Sequence, residues 1–220
     1  LSYKQQVKLT EEQAINTIFE QNHYELIKKR FYYDLTVLGI ACVKNTFTTS
    51  EGIKLEYVDP ADLVYSYIDS PYVDDIYYIG EIKTISLNEL KKQFPELTNE
   101  DLDEITKQGV QNTDFYHRTI TETNNLDANS VQILYFNYKT FMNEVYKTKK
   151  TATGADKAIP RDDQYNPPAD SEEFGKLSRS IEVLYDGAIV LGTEQLLKWN
   201  LCTNMMRPKS DYTKVKMNYS

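Results

Sequence analysis

The sequence predicts an α+β fold in which a long helix and a mixed or antiparallel sheet are followed by a smaller, strand-rich α+β module. Two observations support this. Apolar residues recur at steps of three and four between about Glu11 and Thr36, the period of a helix with one buried face. Runs rich in β-branched and aromatic residues follow at 76–85, 131–140 and 142–148, which is typical of strands.

The long helix has a signal at each end. Thr10 and Gln13 have the spacing of a capping box, in which each side chain bonds the backbone of the other residue. Gly39 is expected to end or kink the helix, because glycine adopts the left-handed conformation of a helix end without a clash. Residues 40–48 and 53–58 are β-prone and flank a short loop with a glycine, which predicts a hairpin.

Prolines punctuate the region after this hairpin. Asp59 precedes Pro60, and a residue before proline avoids the helical region, so we expect the strand to end there. Asp59 and Asp62 are expected to make turn hydrogen bonds around Pro60. A loop follows, and residues 69–71 predict a second turn before the strand at 76–85.

Two short helices are predicted after that strand. Ser86 is followed three residues later by Glu89, which again has the spacing of a capping box, and Pro95 stops the helix. Thr98 begins another capped helix, which Gly109 is expected to end.

The second half of the chain reads as strands and loops. Residues 112–129 have little apolar period and predict a connection with a short strand near 119–123. Two strands at 131–140 and 142–148 follow. Residues 149–175 are polar and rich in proline, the composition of a mobile surface loop.

A strong hairpin signal lies near the end of the chain. Asp186 and Gly187 stand between the β-prone residues 180–185 and 189–191, and Asp-Gly is favoured in two-residue hairpin turns. Thr193 then predicts the cap of a short helix that ends near Trp199.

Acidic residues are concentrated in the first half. Residues 1–110 contain 11 Lys and Arg against 19 Asp and Glu, a net charge of −8, whereas residues 111–220 contain 14 of each. An acidic surface repels phosphate, so the first half is not expected to clamp nucleic acid. No apolar run approaches the roughly twenty residues that cross a bilayer, so no membrane partner is expected.

The sequence predicts no catalytic, metal or cofactor site. His23 and His117 have no second histidine or cysteine at ligand spacing. Cys42 and Cys202 are isolated, which indicates two buried thiols and favours a reducing compartment. No glycine-rich run precedes a Lys-Ser or Lys-Thr pair, so a nucleotide-binding loop is not expected.

Paired carboxylates are frequent but do not by themselves indicate an enzyme. Neighbouring residues of a strand point to opposite faces, so a doublet cannot supply the two converging carboxylates of a hydrolase. The pairs are Asp74 with Asp75, Asp162 with Asp163, Glu172 with Glu173, and Asp59 with Asp62.

Tyrosine is unusually abundant, with 18 residues. Its large amphipathic ring suits subunit interfaces, and it can also stack on a ligand. The clusters comprise Tyr65, Tyr67, Tyr72, Tyr77, Tyr78, Tyr135 and Tyr138.

The order of these features between Phe31 and Pro95 carries a resemblance. A helix ending in YDLTVLGIACVK is followed by VDP, an aspartate-proline loop, DDIYYI and SLNELKKQFP. In this order and spacing the chain resembles a fragment of the portal, or head-to-tail connector, proteins of tailed double-stranded-DNA bacteriophages, of the podovirus type. The resemblance assigns structural roles to Gly39, Asp59, Pro60, Asp62, Asp69, Pro71, Asp74, Asp75 and Pro95.

The resemblance implies a structural virion protein that is not an enzyme and needs no cofactor. Portal proteins form a ring of about twelve subunits at one capsid vertex, with subunits joined head to tail. Double-stranded DNA passes through the ring without sequence specificity. The implied partners are the terminase, head-completion and tail adaptor proteins, capsid and scaffold. The implied location is the virion, with assembly in the host cytoplasm.

Within this resemblance, residues 1–110 correspond to a wing-like and stem-like region and residues 111–220 to a clip-like region. The candidates for contact with DNA or a partner are Lys147, Lys149, Lys150, Asp186 and Gly187. Two other classes stay open. A glycan-binding or adhesin module would use the tyrosines to stack on sugars, and a carboxylate-dependent hydrolase would need two acidic side chains in one cleft.

Overall fold

The computed structural model describes residues 2–48, 52–69, 75–112, 130–150, 156–168, 174–193, 195–203 and 205–220. It combines helices with antiparallel strands, which confirms the general α+β class. The helices are α1 (Tyr3–Gln21), α2 (Tyr24–Val37), α3 (Leu87–Gln93) and α4 (Asn99–Asn112). The strands are β1 (Cys42–Thr48), β2 (Gly52–Val58), β3 (Leu63–Tyr65), β4 (Tyr78–Ser86), β5 (Ser130–Lys150), β6 (Asp156–Arg161), β7 (Phe174–Val190) and β8 (Leu196–Leu201).

The chain divides into two compact units. Unit 1 contains residues 1–138, 186–200 and 217–220, and unit 2 contains residues 139–185 and 201–216. Strands β5 and β7 contribute residues to both units. The units therefore interleave along the chain, whereas the sequence predicts one boundary after residue 110.

Unit 1 contains the predicted hairpin. Strands β1 and β2 pair antiparallel from Cys42 opposite Val58 to Thr48 opposite Gly52. The end of the chain extends this pairing, because Val43 and Ser220 exchange two backbone hydrogen bonds of 2.9 and 2.8 Å.

A larger sheet supports the core of unit 1. Strands β3, β4, β5, β7 and β8 are hydrogen-bonded in this order, and β4 pairs antiparallel with β5. Helices α3 and α4 bury their apolar side chains on this sheet, and burial of apolar surface is the dominant stabilising term. The buried cluster comprises Leu90, Phe94, Ile105, Val131, Ile133, Ala188 and Val190.

Unit 2 is built on the remaining parts of β5 and β7. Strand β6 pairs antiparallel with β5, and the segment 201–216 bonds to β7. Glu182 N–H donates to Thr213 O (2.7 Å), and Cys202 N–H donates to Leu184 O (2.8 Å). The buried side chains include Val145, Ile181, Val183, Leu184 and Val215.

Several predicted element ends are confirmed. Helix α2 ends at Val37, and Gly39 has φ 75°, the left-handed conformation expected there. Ser86 Oγ accepts a hydrogen bond from Glu89 N–H (3.2 Å) and so caps α3. Strand β2 ends at Val58, one residue before Asp59.

The long helix is predicted wrongly at its start and in its middle. Helix α1 begins at Tyr3, and the Thr10 hydroxyl donates to Gln6 O inside the helix (2.9 Å) instead of capping it. His23, predicted to lie on the helix, has φ 50° and separates α1 from α2. Asn22 explains the break, since its side chain bonds Ile18 O (2.8 Å) and two backbone groups of β2.

The predicted strands and loops between residues 99 and 175 need corrections. Helix α4 runs through Gly109 to Asn112, since one glycine costs a helix interior only about 1 kcal/mol. The strands at 131–140 and 142–148 are one strand, β5, because no turn-forming residue separates them. Residues 149–175 are not one mobile loop, since β6 and the ends of β5 and β7 lie there. The predicted short strand at 119–123 lies outside the described residues.

The hairpin predicted at Asp186 and Gly187 is also wrong. Strand β7 runs straight through both residues, and Gly187 lacks the positive φ of the predicted turn. A side chain at Gly187 would place its Cβ 2.5 Å from Phe136 Cζ, so the glycine makes room for a ring on the neighbouring strand. The turn lies instead at Gly192 (φ 83°), and strand β8 replaces the helix predicted after Thr193.

Candidate functional site

The residues around Pro60 form the predicted turn. Asp59 Oδ1 accepts a hydrogen bond from Ala61 N–H (2.9 Å), and Asp59 O accepts one from Asp62 N–H (3.0 Å). Asp62 O accepts a hydrogen bond from Ile82 N–H (2.9 Å), which ties this turn to β4. These residues therefore shape the connection between β2 and β3.

The other residues of the resemblance lie at element ends or on the surface. Gly39 follows α2, Pro95 follows α3, and Asp69 and Asp75 are exposed. Outside the described residues lie Pro71, Tyr72, Asp74, His117, Glu172 and Glu173.

A buried ionic cluster lies in unit 1, and we call it the charge centre (Lys44, Glu81, Lys83, Tyr135 and Tyr219). Glu81 is 3% exposed, and its Oε1 lies 2.8 Å from Lys44 Nζ and 3.1 Å from Lys83 Nζ. Lys44 Nζ also lies 5.7 and 5.2 Å from the ring centres of Tyr135 and Tyr219. Each charge thus has partners, which a buried ion requires.

Burial and the charge of the charge centre keep the Cys42 thiol and the Tyr135 and Tyr219 phenols protonated. Burial, followed by the Glu81 charge, raises the pKa of the Cys42 thiol to about 11 and the pKa of Tyr135 to about 12. The same two causes raise the pKa of Tyr219. A protonated thiol or phenol is a poor nucleophile or base, so this arrangement favours a structural role.

A second ionic cluster ties α2 to β2. Asp34 is 1% exposed, accepts a hydrogen bond from the Tyr57 hydroxyl, and lies 3.3 Å from Arg30 Nε. Arg30 Nε also donates to Tyr57 Oη (3.1 Å). The buried carboxylate therefore holds the helix on the strand.

Asp186, a predicted contact residue, belongs to a third polar cluster. Asn137 Nδ2 donates to Asp186 Oδ1 (3.3 Å), and Lys198 Nζ donates to Asp186 Oδ2. Asn137 Oδ1 is buried and has no partner among the residues that the structure describes. Gly187 lies under Phe136, so the described contacts of both predicted residues lie within unit 1.

Lys147 and Lys149 lie together in unit 2. Lys147 Nζ is 3.7 Å from the centre of the Phe174 ring and 6.0 Å from that of Tyr165, and Lys149 Nζ is 5.5 Å from the Phe174 ring centre. Lys150 continues the same strand, but its side chain is outside the described part of the chain.

Acidic residues also line an open depression of about 810 Å³ in unit 2. Its lining consists of residues 161–165, which include the neighbours Asp162 and Asp163. Across the described ranges, no three His, Cys, Asp or Glu side chains are placed to hold a metal ion.

Sequence reasoning missed two features, the charge centre and the exposure of α1 and α2, which we call the helical arm. Helix α1 buries no side chain, and α2 buries only Asp34. The signal for the charge centre was the presence of charged residues within two β-prone runs, Lys44 in the first and Glu81 and Lys83 in the second. The apolar helix pattern was visible, but it does not reveal whether the apolar face has a partner.

Comparison with known proteins assigns no family. No protein-family model matches the chain, and no curated protein matches it. No described helix is both long enough and apolar enough to cross a bilayer.

Proposed function

We propose that the chain is part of a phage portal protein, a structural ring component that transforms no substrate. In this proposal the ring sits at one vertex of the virion, and the genome is packaged and ejected through it. The terminase, tail adaptors, capsid and scaffold dock on it during assembly in the host cytoplasm. The observation that carries the proposal is the helical arm, which leaves many of its apolar side chains exposed.

The helical arm needs a partner on energetic grounds. Isolated helices of this length are marginally stable in water, and most helix stability in proteins comes from packing an apolar face. Exposed fractions in the arm reach 66% for Leu26, 57% for Tyr32 and 59% for Tyr33. The exposed apolar residues of the arm are Tyr3, Val7, Leu9, Ile15, Phe19, Leu26, Tyr32, Tyr33, Leu35 and Val37.

A neighbouring copy of the same protein is the partner that a ring supplies. In a closed ring one surface of each subunit meets a different surface of the next, so an exposed arm on every copy is covered without leaving a free end. Tyrosine is enriched in the centres of protein interfaces, which suits an arm with Tyr32 and Tyr33 exposed.

The two other classes have less support. Tyr67 is 84% exposed and Tyr77 is 49% exposed, so they are available to stack on a sugar, but the exposure of the arm is left unexplained. For a hydrolase, the described depression offers the neighbours Asp162 and Asp163, whereas glycoside hydrolysis uses two carboxyl groups about 5 Å or more apart across a substrate.

The test measures assembly of the complete encoded polypeptide by light scattering and negative-stain electron microscopy. We expect rings for the wild type and loss of rings for Leu26→Glu, because a buried charge without a partner is costly. Leu177→Glu is the matched control, since Leu177 is 55% exposed and lies in unit 2.

The outcomes separate the classes. Monomers under every salt condition would overturn the ring. Equal loss of assembly in both variants would show that the helical arm is not the contact between subunits. Binding on a glycan array that is lost with Tyr67→Ala would favour the sugar-binding class instead.

A further inference from the structure

One face of unit 2 collects positive charge. The β5–β6 register places Lys149 directly opposite Lys157, and Val145 opposite Arg161. Directly paired residues share a face, as do residues two apart on one strand, so Lys147 and Arg161 lie on this face too. Lys176 joins them, because it lies two residues after Phe174, whose ring is under Lys147. We call this set the basic face: Lys147, Lys149, Lys157, Arg161 and Lys176.

No carboxylate that the structure describes neutralises the charges of the basic face. Within the described ranges, no carboxylate lies at ion-pair distance from any of the five cations. Among the described residues, Lys176 Nζ contacts two uncharged oxygens, Asp163 O and Asn166 Oδ1, at 3.5 Å. Arg179 of the same unit shows the contrast, since its Nη2 lies 2.7 Å from Glu144 Oε2.

The register itself opposes folding at this point. Like charges directly opposite each other on paired strands are destabilising, and Lys149 and Lys157 stand in that relation. The turn after β6 carries Asp162 and Asp163, yet neither carboxylate forms an ion pair with the described cations of the face. A bound polyanion would remove the repulsion.

We propose that the basic face binds the phosphate backbone of double-stranded DNA. Lys147 and Lys149 are about 6.7 Å apart along the strand, and a duplex offers one charge per about 1.7 Å of its axis, so each ammonium finds a phosphate. Lys147 covers the Phe174 ring, so that ring is not free to stack on a base. Contact through phosphates alone positions DNA without reading its sequence.

An acidic peptide fits this face less well. Peptide recognition uses a free sheet edge or pockets for side chains besides charge. Residues 145–150 of β5 are paired with β6, so this stretch of β5 offers no free edge, and Lys149, Lys157 and Arg161 are exposed. DNA binding agrees with the DNA partner of the proposed ring but does not require ring assembly.

The experiment measures binding of a labelled random-sequence duplex by fluorescence anisotropy. For four or five phosphate contacts, the affinity should fall on the order of 100-fold between about 50 and 200 mM salt. The double variant Lys149→Gln with Lys157→Gln should weaken binding at low salt at least about 10-fold and reduce the salt slope by about two. This variant removes repulsion, so we expect it to keep the fold, and circular dichroism checks this.

The matched control removes the same charge elsewhere in unit 2. Lys209→Gln with Lys214→Gln, both exposed, should change the affinity less than about twofold. An equal loss of affinity in the control would assign binding to net charge and overturn the proposal that the basic face binds DNA. Absence of binding at low salt would overturn it too, as would tighter binding of polyglutamate than of DNA at equal charge.

The result also stands apart from the ring. A protein that forms rings but binds no duplex would overturn only the proposal that the basic face binds DNA. A monomer that binds the duplex through these lysines would overturn only the proposal of a ring.

Discussion

The two units differ in net charge and in how the cations described in each are paired. Unit 1 contains 13 Lys and Arg against 24 Asp and Glu, a net charge of −11, whereas unit 2 contains 12 against 9, a net charge of +3. In unit 1, Lys44, Arg30 and Lys198 each contact a carboxylate. In unit 2, the five cations of the basic face contact none among the described residues. Paired charge stabilises the fold, whereas unpaired charge is available to a ligand.

Breaking the charge centre should have the largest effect. Glu81→Gln leaves the Lys44 ammonium, 12% exposed, without its counter-charge, and breaking a buried pair costs about 3–5 kcal/mol. Urea unfolding followed by the fluorescence of Trp199, which is the only tryptophan and lies in unit 1, measures this free energy.

Lys83→Ala is the control for that prediction. Lys83 is 43% exposed, so its removal should cost less than about 1 kcal/mol. Equal costs for the two variants would mean that burial of the ion pair does not decide its contribution, and the contrast between the units would fail.

Alkaline pH should weaken unit 1 by a smaller amount. The fold raises the pKa of the Cys42 thiol from 9.0 to about 11. The protonated thiol therefore contributes stability that is complete below pH 9 and is lost as pH rises towards 11. The free energy of unfolding should therefore fall by about 1 kcal/mol between pH 8 and pH 10 from this thiol.

Cys42→Ala isolates the contribution of the thiol. The difference in unfolding free energy between wild type and variant should shrink as pH rises from 8 to 10. Taking this difference cancels the titration of the groups that both proteins share. In native protein the Cys42 thiol, 3% exposed, should react slowly with alkylating reagents. A constant difference across this range would show that the fold does not hold the proton.

Neutralising the basic face should give the smallest effect, and with the opposite sign. Lys157→Gln removes a cross-strand repulsion with Lys149 and should stabilise the β5–β6 pairing by about 0.2–1 kcal/mol. Slower amide hydrogen exchange in β6 measures this gain. Lys209→Gln should leave that exchange unchanged. Destabilisation by Lys157→Gln would contradict the repulsion, because it would mean that the Lys157 charge stabilises the fold.

Short-range signals in the sequence predicted well where a few neighbours decide the backbone. Ser86 caps α3 and Gly39 follows the end of α2, because hydroxyl hydrogen bonding and left-handed φ depend on residues within one helical turn. The hairpin of β1 and β2 and the end of β2 before Asp59 and Pro60 belong to the same group.

Signals failed where a distant residue competes with the local preference. Asp186 and Gly187 favour a turn, but Phe136 occupies the space above Gly187, so the glycine serves packing inside β7. Asn22 likewise breaks the long helix, because its side chain bonds Ile53 O and Leu55 N–H of β2. Neither Phe136 nor β2 lies near these residues in sequence.

By itself the sequence determined the α+β class, several helix and strand ends before residue 100, and the acidic character of the first half, because these follow from local hydrogen bonding, side-chain period and composition. Only the tertiary structure decided which charges are paired. Glu81 of β4 meets Lys44 of β1, a strand of a different sheet, because the packing of the chain brings these distant segments together. Lys149 meets Lys157 because the register of β5 and β6 places them opposite each other.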